Sequence, residues 1–250
     1  SSYPALYESR RLQLARSSAE NAARSQADGT LPHPGQTDSS GAEVRSCRMT
    51  REMLLAAASE QGSYRTLHLN ERLALPFCGI INIVPDLAAF SQLRSLSLEH
   101  NLLHQLDGLR LPALYRLVLH HNRLVTLEGL TGVPKLLFLD VRNNSLTTLK
   151  GIEHVPALSS LLAGTNSLQL QTDGSSPLLG LGSCLSLGTL ELQHNNLRTP
   201  ALSPLSLLPA LRQLALVGNP LYEGDSTAVR TAIFSIVPQV RLLDGVQNAE

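Results

Sequence analysis

Leu93-Arg-Ser-Leu96-Ser-Leu98-Glu-His-Asn101-Leu-Leu103 sets the pattern on which this chain is built. The template Leu-x-x-Leu-x-Leu-x-x-Asn-x-Leu returns at Leu114-Leu117-Leu119-Asn122-Leu124, with Val or Ala for one Leu at Leu136-Leu139-Val141-Asn144-Leu146 and Leu158-Leu161-Ala163-Asn166-Leu168. Two more copies run Leu187-Leu190-Leu192-Asn195-Leu197 and Leu211-Leu214-Leu216-Asn219-Leu221. From Asn101 to Asn166 the asparagines step by 21, 22 and 22 residues. Fixed offsets between one Asn and three apolar residues, six times over, mark a structural repeat.

The chemistry of the repeat explains its spacing. Leu-x-Leu alternation has the two-residue period of a strand, so both leucines point inward and the residue between them points outward. The Asn follows, where the turn leaves backbone groups without ladder partners, and a side-chain amide offers two donors and an acceptor to meet them. Return segments end Leu111-Pro-Ala113, Val133-Pro-Lys135, Val155-Pro-Ala157 and Leu208-Pro-Ala210. Proline removes a donor and restricts the residue before it, which stops a short helical return. One such unit cannot bury its apolar side alone, so neighbours must stack. The sequence therefore predicts an α/β leucine-rich-repeat solenoid, with a curved parallel sheet on the concave side and short helices or 3-10 turns on the convex side. Asn101, Asn122, Asn144, Asn166, Asn195 and Asn219 are expected to form a structural ladder within it.

Outside the repeats the chain divides by composition. Residues 1–48 read as an extended or partly helical arm and linker: an Ala-, Ser- and Arg-rich stretch with interspersed Glu8, Glu20 and Asp28, then a Gly-, Pro- and Ser-rich run. Those acids argue against an organelle transit peptide. Ser1 rather than Met opens the numbering, which leaves the true start and any targeting signal open. The repeat domain is expected over 49–246, with an N-cap helix at 49–62, repeats at 64–221 and a C-terminal cap at 222–246. Residues 247–250 are then a tail. Thr50 reads as the cap of a helix over 51–61 stopped by Gly62, and Arg230 is expected to open the final helix, which ends at Pro238. Leu67, Leu69, Leu73, Leu75, Ile80, Ile81, Ile83 and Leu87 read as irregular opening repeats. Between Asn166 and Asn195 the step lengthens to 29 residues, and the excess is a polar loop from Gln171 to Pro177.

Composition narrows the function. Twenty basic and twenty acidic residues cancel, so no global field draws the chain to nucleic acid or membrane. Three isolated cysteines, Cys47, Cys78 and Cys184, without CxxC spacing suggest a reducing compartment. No apolar run approaches the roughly 18 residues that span a bilayer. The chain carries no P-loop, GxSxG, HExxH or Rossmann glycine pattern, so an enzyme is not expected, and no cofactor is expected. His100 and His121 share one repeat position with His120 beside them, but no Cys or carboxylate completes a closed zinc set, and no metal is expected.

The 22-residue repeats, and the ending Arg230…Pro238-Gln-Val-Arg-Leu-Leu-Asp244, resemble the cap-containing leucine-rich family of phosphatase-1 regulators, the spliceosomal A-prime protein and the outer-arm dynein light chain. Within it the chain looks most similar to the axonemal-dynein assembly factors. That similarity runs from Met49-Thr50 through Tyr64, Leu69-Asn-Glu-Arg-Leu73 and Gly79-Ile80 to Cys184-Leu185, Leu190-Glu-Leu-Gln-His-Asn195 and Val217-Gly-Asn-Pro220. Departures are Val229, where a Tyr is usual, and Ala163-Gly164 in the fourth strand. The resemblance implies a cytoplasmic protein of cilium or flagellum (axoneme), with dynein, tubulin or other axonemal proteins as partners within a larger assembly. The alternative is a structural leucine-rich subunit of a spliceosomal or mitochondrial-ribosomal particle, and hence nuclear or mitochondrial.

Partner binding is expected on the outward residues of the strands, on the concave face, and through the N-terminal arm. Arg116 and Phe138 head one column; Val118, Asp140, Leu162 and Glu191 form a second; His120 and Arg142 lie in a third. Exposed Phe138, Val118 and Leu162 ringed by charged side chains have the layout of a protein interface. Direct nucleic-acid contact is not expected, because the columns mix both signs of charge and the chain holds only four Phe, five Tyr and no Trp.

Overall fold

The computed structural model describes residues 48–60, 66–223 and 226–247. Most of the arm (1–47), the helix stop at Gly62, Tyr64 and residues 248–250 lie outside the described residues. Thr50 Oγ1 accepts the Met53 N–H at 3.2 Å and caps α1 (Arg51–Glu60), as its hydroxyl suggests. Leu54, Ala57 and Ala58 on the inner side of this helix, and Met49 just before it, are buried where it packs on the first strand and covers that end of the sheet. An open strand edge there would expose unpaired backbone groups.

Seven strands of three residues each follow, one per rung: β1 (Arg72–Ala74), β2 (Ser95–Ser97), β3 (Arg116–Val118), β4 (Phe138–Asp140), β5 (Ser160–Leu162), β6 (Thr189–Glu191) and β7 (Gln213–Ala215). They pair in parallel and in sequence order. Their register sets Leu96, Leu117, Leu139, Leu161, Leu190 and Leu214 one above another, all buried. The returns are 3-10 turns such as Leu130–Gly132 and Ile152–His154, each closing just before the proline of the return. Core leucines fill the space between sheet and returns. Leu69, expected among the core residues of the opening rung, is instead 46% exposed. The 3-10 turn at Leu67–Leu69 points only Leu67 inward, because three residues per turn carry its neighbours away from the core.

The asparagine ladder is present and continuous. Asn122 Oδ1 accepts from Leu103 N at 3.0 Å, while its Nδ2 donates to Leu98 O and Leu119 O, both at 2.9 Å. Asn144 repeats this with Leu124 N, Leu119 O and Val141 O. Asn166, Asn195 and Asn219 do the same on the later rungs. Asn101 joins Cys78 N and Ile80 N to Leu75 O and Leu98 O. From Leu98 to Leu192 each strand-end carbonyl is thus shared by two amides from successive rungs, and the seam stitches rung to rung.

One backbone feature was hidden in the sequence. The residue before each ladder Asn is left-handed: His100, His121, Asn143, Thr165 and His194 have φ between 53° and 56°. A non-glycine at positive φ is uncommon. Here the left-handed turn immediately precedes each inward-pointing Asn. Gly218 holds the same place (φ 76°), and a Cβ there would also lie 2.3 Å from the His194 ring.

The C-terminal cap departs from expectation. Its helix α2 (Ser226–Ile236) begins four residues before Arg230, and a hairpin of β8 (Leu242–Leu243) and β9 (Val246–Gln247) ends the sheet, so Gln247 is strand rather than tail. Asp244-Gly245 supplies two successive positive φ values, 52° and 79°, which a tight hairpin needs. Asp244 closes the ladder with a carboxylate, accepting from Leu216 N, Val217 N and the Tyr222 hydroxyl. Burial, aided by that carboxylate, pushes the Tyr222 phenol up. The polar loop after Leu170 is closed on itself and stapled to its neighbours: Gln171 N donates to Ser175 O, and buried Ser176 donates to Ala201 O at 2.6 Å.

Candidate protein-binding face

The strand registers bring the expected residues together. Arg116 sits beside Phe138 across β3 and β4, and Val118, Asp140, Leu162 and Glu191 run in one row from β3 to β6. Around them the outward positions are small: Ser95, Ser97, Ser160, Thr189 and Ala215. Large apolar side chains stand at the centre of the face, and the long polar Arg72 and Gln213 stand at the two ends of the row.

Their depth differs from the sequence reading. Phe138, Val118 and Leu162 are half-buried rather than fully exposed. The Arg116 guanidinium covers the Phe138 ring, with Cζ 3.8 Å from its centroid, a cation–π arrangement. Asp140, expected on an exposed charged rim, is only 3% exposed. Arg142 folds back over it with a two-pronged ion pair, Nε to Oδ1 at 3.0 Å and an Nη to Oδ2 at 2.7 Å. Alternation along a strand fixes which way a side chain points, but not what later lies across it. Hydrogen bonding to Asp140 pushes the Arg142 pKa up.

This pair makes a direct prediction. Removing the Arg142 side chain leaves the buried Asp140 carboxylate with the Arg142 backbone N–H at 3.2 Å but no counter-charge, which costs about 2 kcal/mol, a value reduced because Arg142 is partly exposed. Arg142→Ala should therefore be less stable in urea than the double variant Asp140→Ala/Arg142→Ala. The reverse order would mean that Asp140 does not depend on Arg142.

Farther along the face, Gln193 lies over Gly164, where a Cβ would come 2.8 Å from its Cδ. Its Nε2 donates to Glu191 at 3.2 Å, while Oε1 is buried with no hydrogen-bond partner among the described residues. Ala163-Gly164 leaves room for Gln193.

His120 does not complete the Phe138 centre but turns toward His100 and His121, its ring edge-on to both. The sequence placed only two histidines in register, and the third joins them because both His120 and His121 flank one turn. Apolar groups that sequence reasoning did not single out are exposed off the strand face: Leu179 at 67%, Leu207 at 60% and Leu185 at 57%. They sit on or beside the 3-10 returns, where the Leu template gives no signal. Among the described residues, no helix is long and apolar enough to cross a membrane.

Stacked single-strand rungs, 3-10 returns, an internal asparagine seam and helical ends define the class: this is a leucine-rich-repeat solenoid. Solved structures with the same fold include a leucine-rich-repeat protein of Leptospira interrogans, at TM-score 0.55 and 22% identity over 70% of this chain and 42% of that one. A TLR13–ssRNA13 complex gives TM-score 0.54 and 23% identity over 69% of this chain and 25% of the receptor. Internalin C2 of Listeria monocytogenes gives 0.50 and 20% over 76% of this chain and 91% of that one. The chain spans well under two thirds of the Leptospira and TLR13 chains, and at these identities the likeness concerns fold alone. No family model and no curated protein matches the chain.

Proposed function

We propose that the chain is a non-enzymatic scaffold that grips a polypeptide partner on the centre of its strand face. The observation that carries this is the platform at β3–β5. Phe138 and Arg116 are already stacked, Val118 and Leu162 flank them half-buried, and small residues surround them. An aromatic and an arginine held in place before binding lose little conformational freedom on contact, and these residue types dominate binding energy at protein interfaces.

The resemblance of the repeats and C-terminal cap to dynein-associated leucine-rich proteins directs the partner reading. The partner is an axonemal protein such as a dynein chain or tubulin, and the location is the cytoplasm and the cilium or flagellum. Mixed charge on the face, with Arg116 and Arg142 against Asp140 and Glu191, favours protein over the nucleic acid of a ribonucleoprotein.

The test is affinity capture of the tagged full chain from ciliated cells, with Phe138→Ala/Arg116→Ala as the variant. Neither side chain belongs to the leucine core, so the variant should melt near the wild type yet lose a co-purifying axonemal component by about tenfold or more, as expected for loss of an interface anchor. Retention of the same partners by a folded variant would move the interface elsewhere. Capture of ribonucleoprotein subunits would replace the ciliary reading with its alternative.

A further inference from the structure

Beside the partner platform, three imidazoles converge. The ring nitrogens available from His100, His120 and His121 lie within 4.8 Å of one another. Repeated left-handed turns on neighbouring rungs bring two of them together: the His100 and His121 rings stack with centroids 4.2 Å apart and planes 13° apart. His120 meets them edge-on, at 5.3 Å and 5.2 Å. Phe77 stacks on His100 at 4.2 Å and closes that side with an apolar wall. The backbone beneath is fixed, since His100 N donates to His120 O and His121 N to Arg142 O, both at 3.0 Å. His121 is exposed and leaves a way in from solvent.

We infer that His100, His120 and His121 form a binding site for one zinc-class divalent transition ion. Imidazole nitrogen suits such ions, whereas magnesium and calcium require oxygen ligands. Metal–nitrogen bonds of about 2.0–2.1 Å at tetrahedral angles place ligand nitrogens about 3.3 Å apart. The stacked pair must therefore tilt toward each other by rotation of the rings.

The surroundings fit a cation. Burial first, and the two neighbouring histidines next, push His100 down to about 4, and burial also pushes His121 down, so both are neutral ligands at neutral pH. Arg142, whose charge acts on His121, is paired with Asp140. Glu99, adjacent to His100, is engaged by the Ser97 hydroxyl, so the three histidines leave a fourth position for water or a donor from a partner. This inference rests on the histidines alone and does not depend on the identity of any protein partner.

The experiment is calorimetric titration of the tag-free full chain with zinc chloride, paired with absorption spectra of the cobalt(II) form. Wild type should bind one ion per chain. His100→Asn and His121→Asn should weaken it at least about 100-fold, more than outer-sphere changes give. Asparagine is chosen because Asn143 holds the same left-handed position on the next rung. His120→Ala, on the open strand face, is the second variant and should show the same loss. His104→Ala and His194→Ala should bind as the wild type does. The cobalt spectrum should show tetrahedral bands without a thiolate charge-transfer band. No zinc binding by the wild type, binding that survives the His100 and His120 changes, or a thiolate band would overturn the site.

Discussion

Replacing Leu139 by Arg should lower the thermal midpoint by about 10–20 °C, or leave no cooperative transition at all. Leu139 is fully buried in β4, the central rung, with Leu117 and Leu161 in register on either side. An arginine there faces a space without a buried carboxylate to receive it. The cost combines lost apolar burial, about 1.5–3 kcal/mol, with several kcal/mol for a charge taken out of water. Because each rung is supported only by its neighbours, the damage divides the rod into two shorter stacks. Leu179→Arg, at a 67% exposed position on a return, is the control and should melt close to the wild type.

Asn122→Ala should destabilise the coil by about 2–4 kcal/mol, or roughly 4–16 °C in midpoint. The estimate follows from what each group loses. Leu98 O keeps the Asn101 amide at 2.9 Å and Leu119 O keeps Asn144 at 3.0 Å, so neither carbonyl is stranded. Leu103 N loses its side-chain acceptor inside the coil. Asn122→Asp tests the same geometry from the other side. It keeps the acceptor for Leu103 N but aims a carboxylate at two carbonyl oxygens, and it should be no more stable than the alanine variant. Asp244 holds the terminal position of the seam without this conflict, since the groups it meets, Leu216 N, Val217 N and the Tyr222 hydroxyl, are donors. Calorimetric melts of both variants read the result directly; wild-type midpoints would show that the seam is ornamental to stability.

What was legible in the sequence follows from the physics of the repeat. A period of two inside a period near 22 fixes both the inward leucines and the outward columns, and Ser95, Arg116, Phe138, Ser160, Thr189 and Gln213 do stand in one row. The asparagine ladder was legible because few side chains can serve both a donor and two acceptors at a turn. The left-handed residue before each Asn was not, since His100, His121 and Thr165 carry none of the glycine signal that usually marks such a position. Nor was the burial of Asp140, which depends on Arg142 two residues away folding back over it. The start of α2 was placed late because Ser226 to Val229 carry little apolar pattern. The histidine cluster fell between these cases: its three members were visible, two in register with His120 beside them, but not the turn that sets His120 edge-on to the other two.

The strand face and the exposed leucines of the returns are rival docking surfaces, and one measurement separates them. A photo-reactive benzoylphenylalanine placed at Val118 on the strand face, or at Leu207 on a return, can be irradiated in cells and its cross-linked products identified by mass spectrometry. Cross-links to a polypeptide partner from position 118, with little or none from 207, are the result expected here. Cross-links from 207 alone, with position 118 silent in a folded protein, would contradict a partner held on the inner surface of the coil.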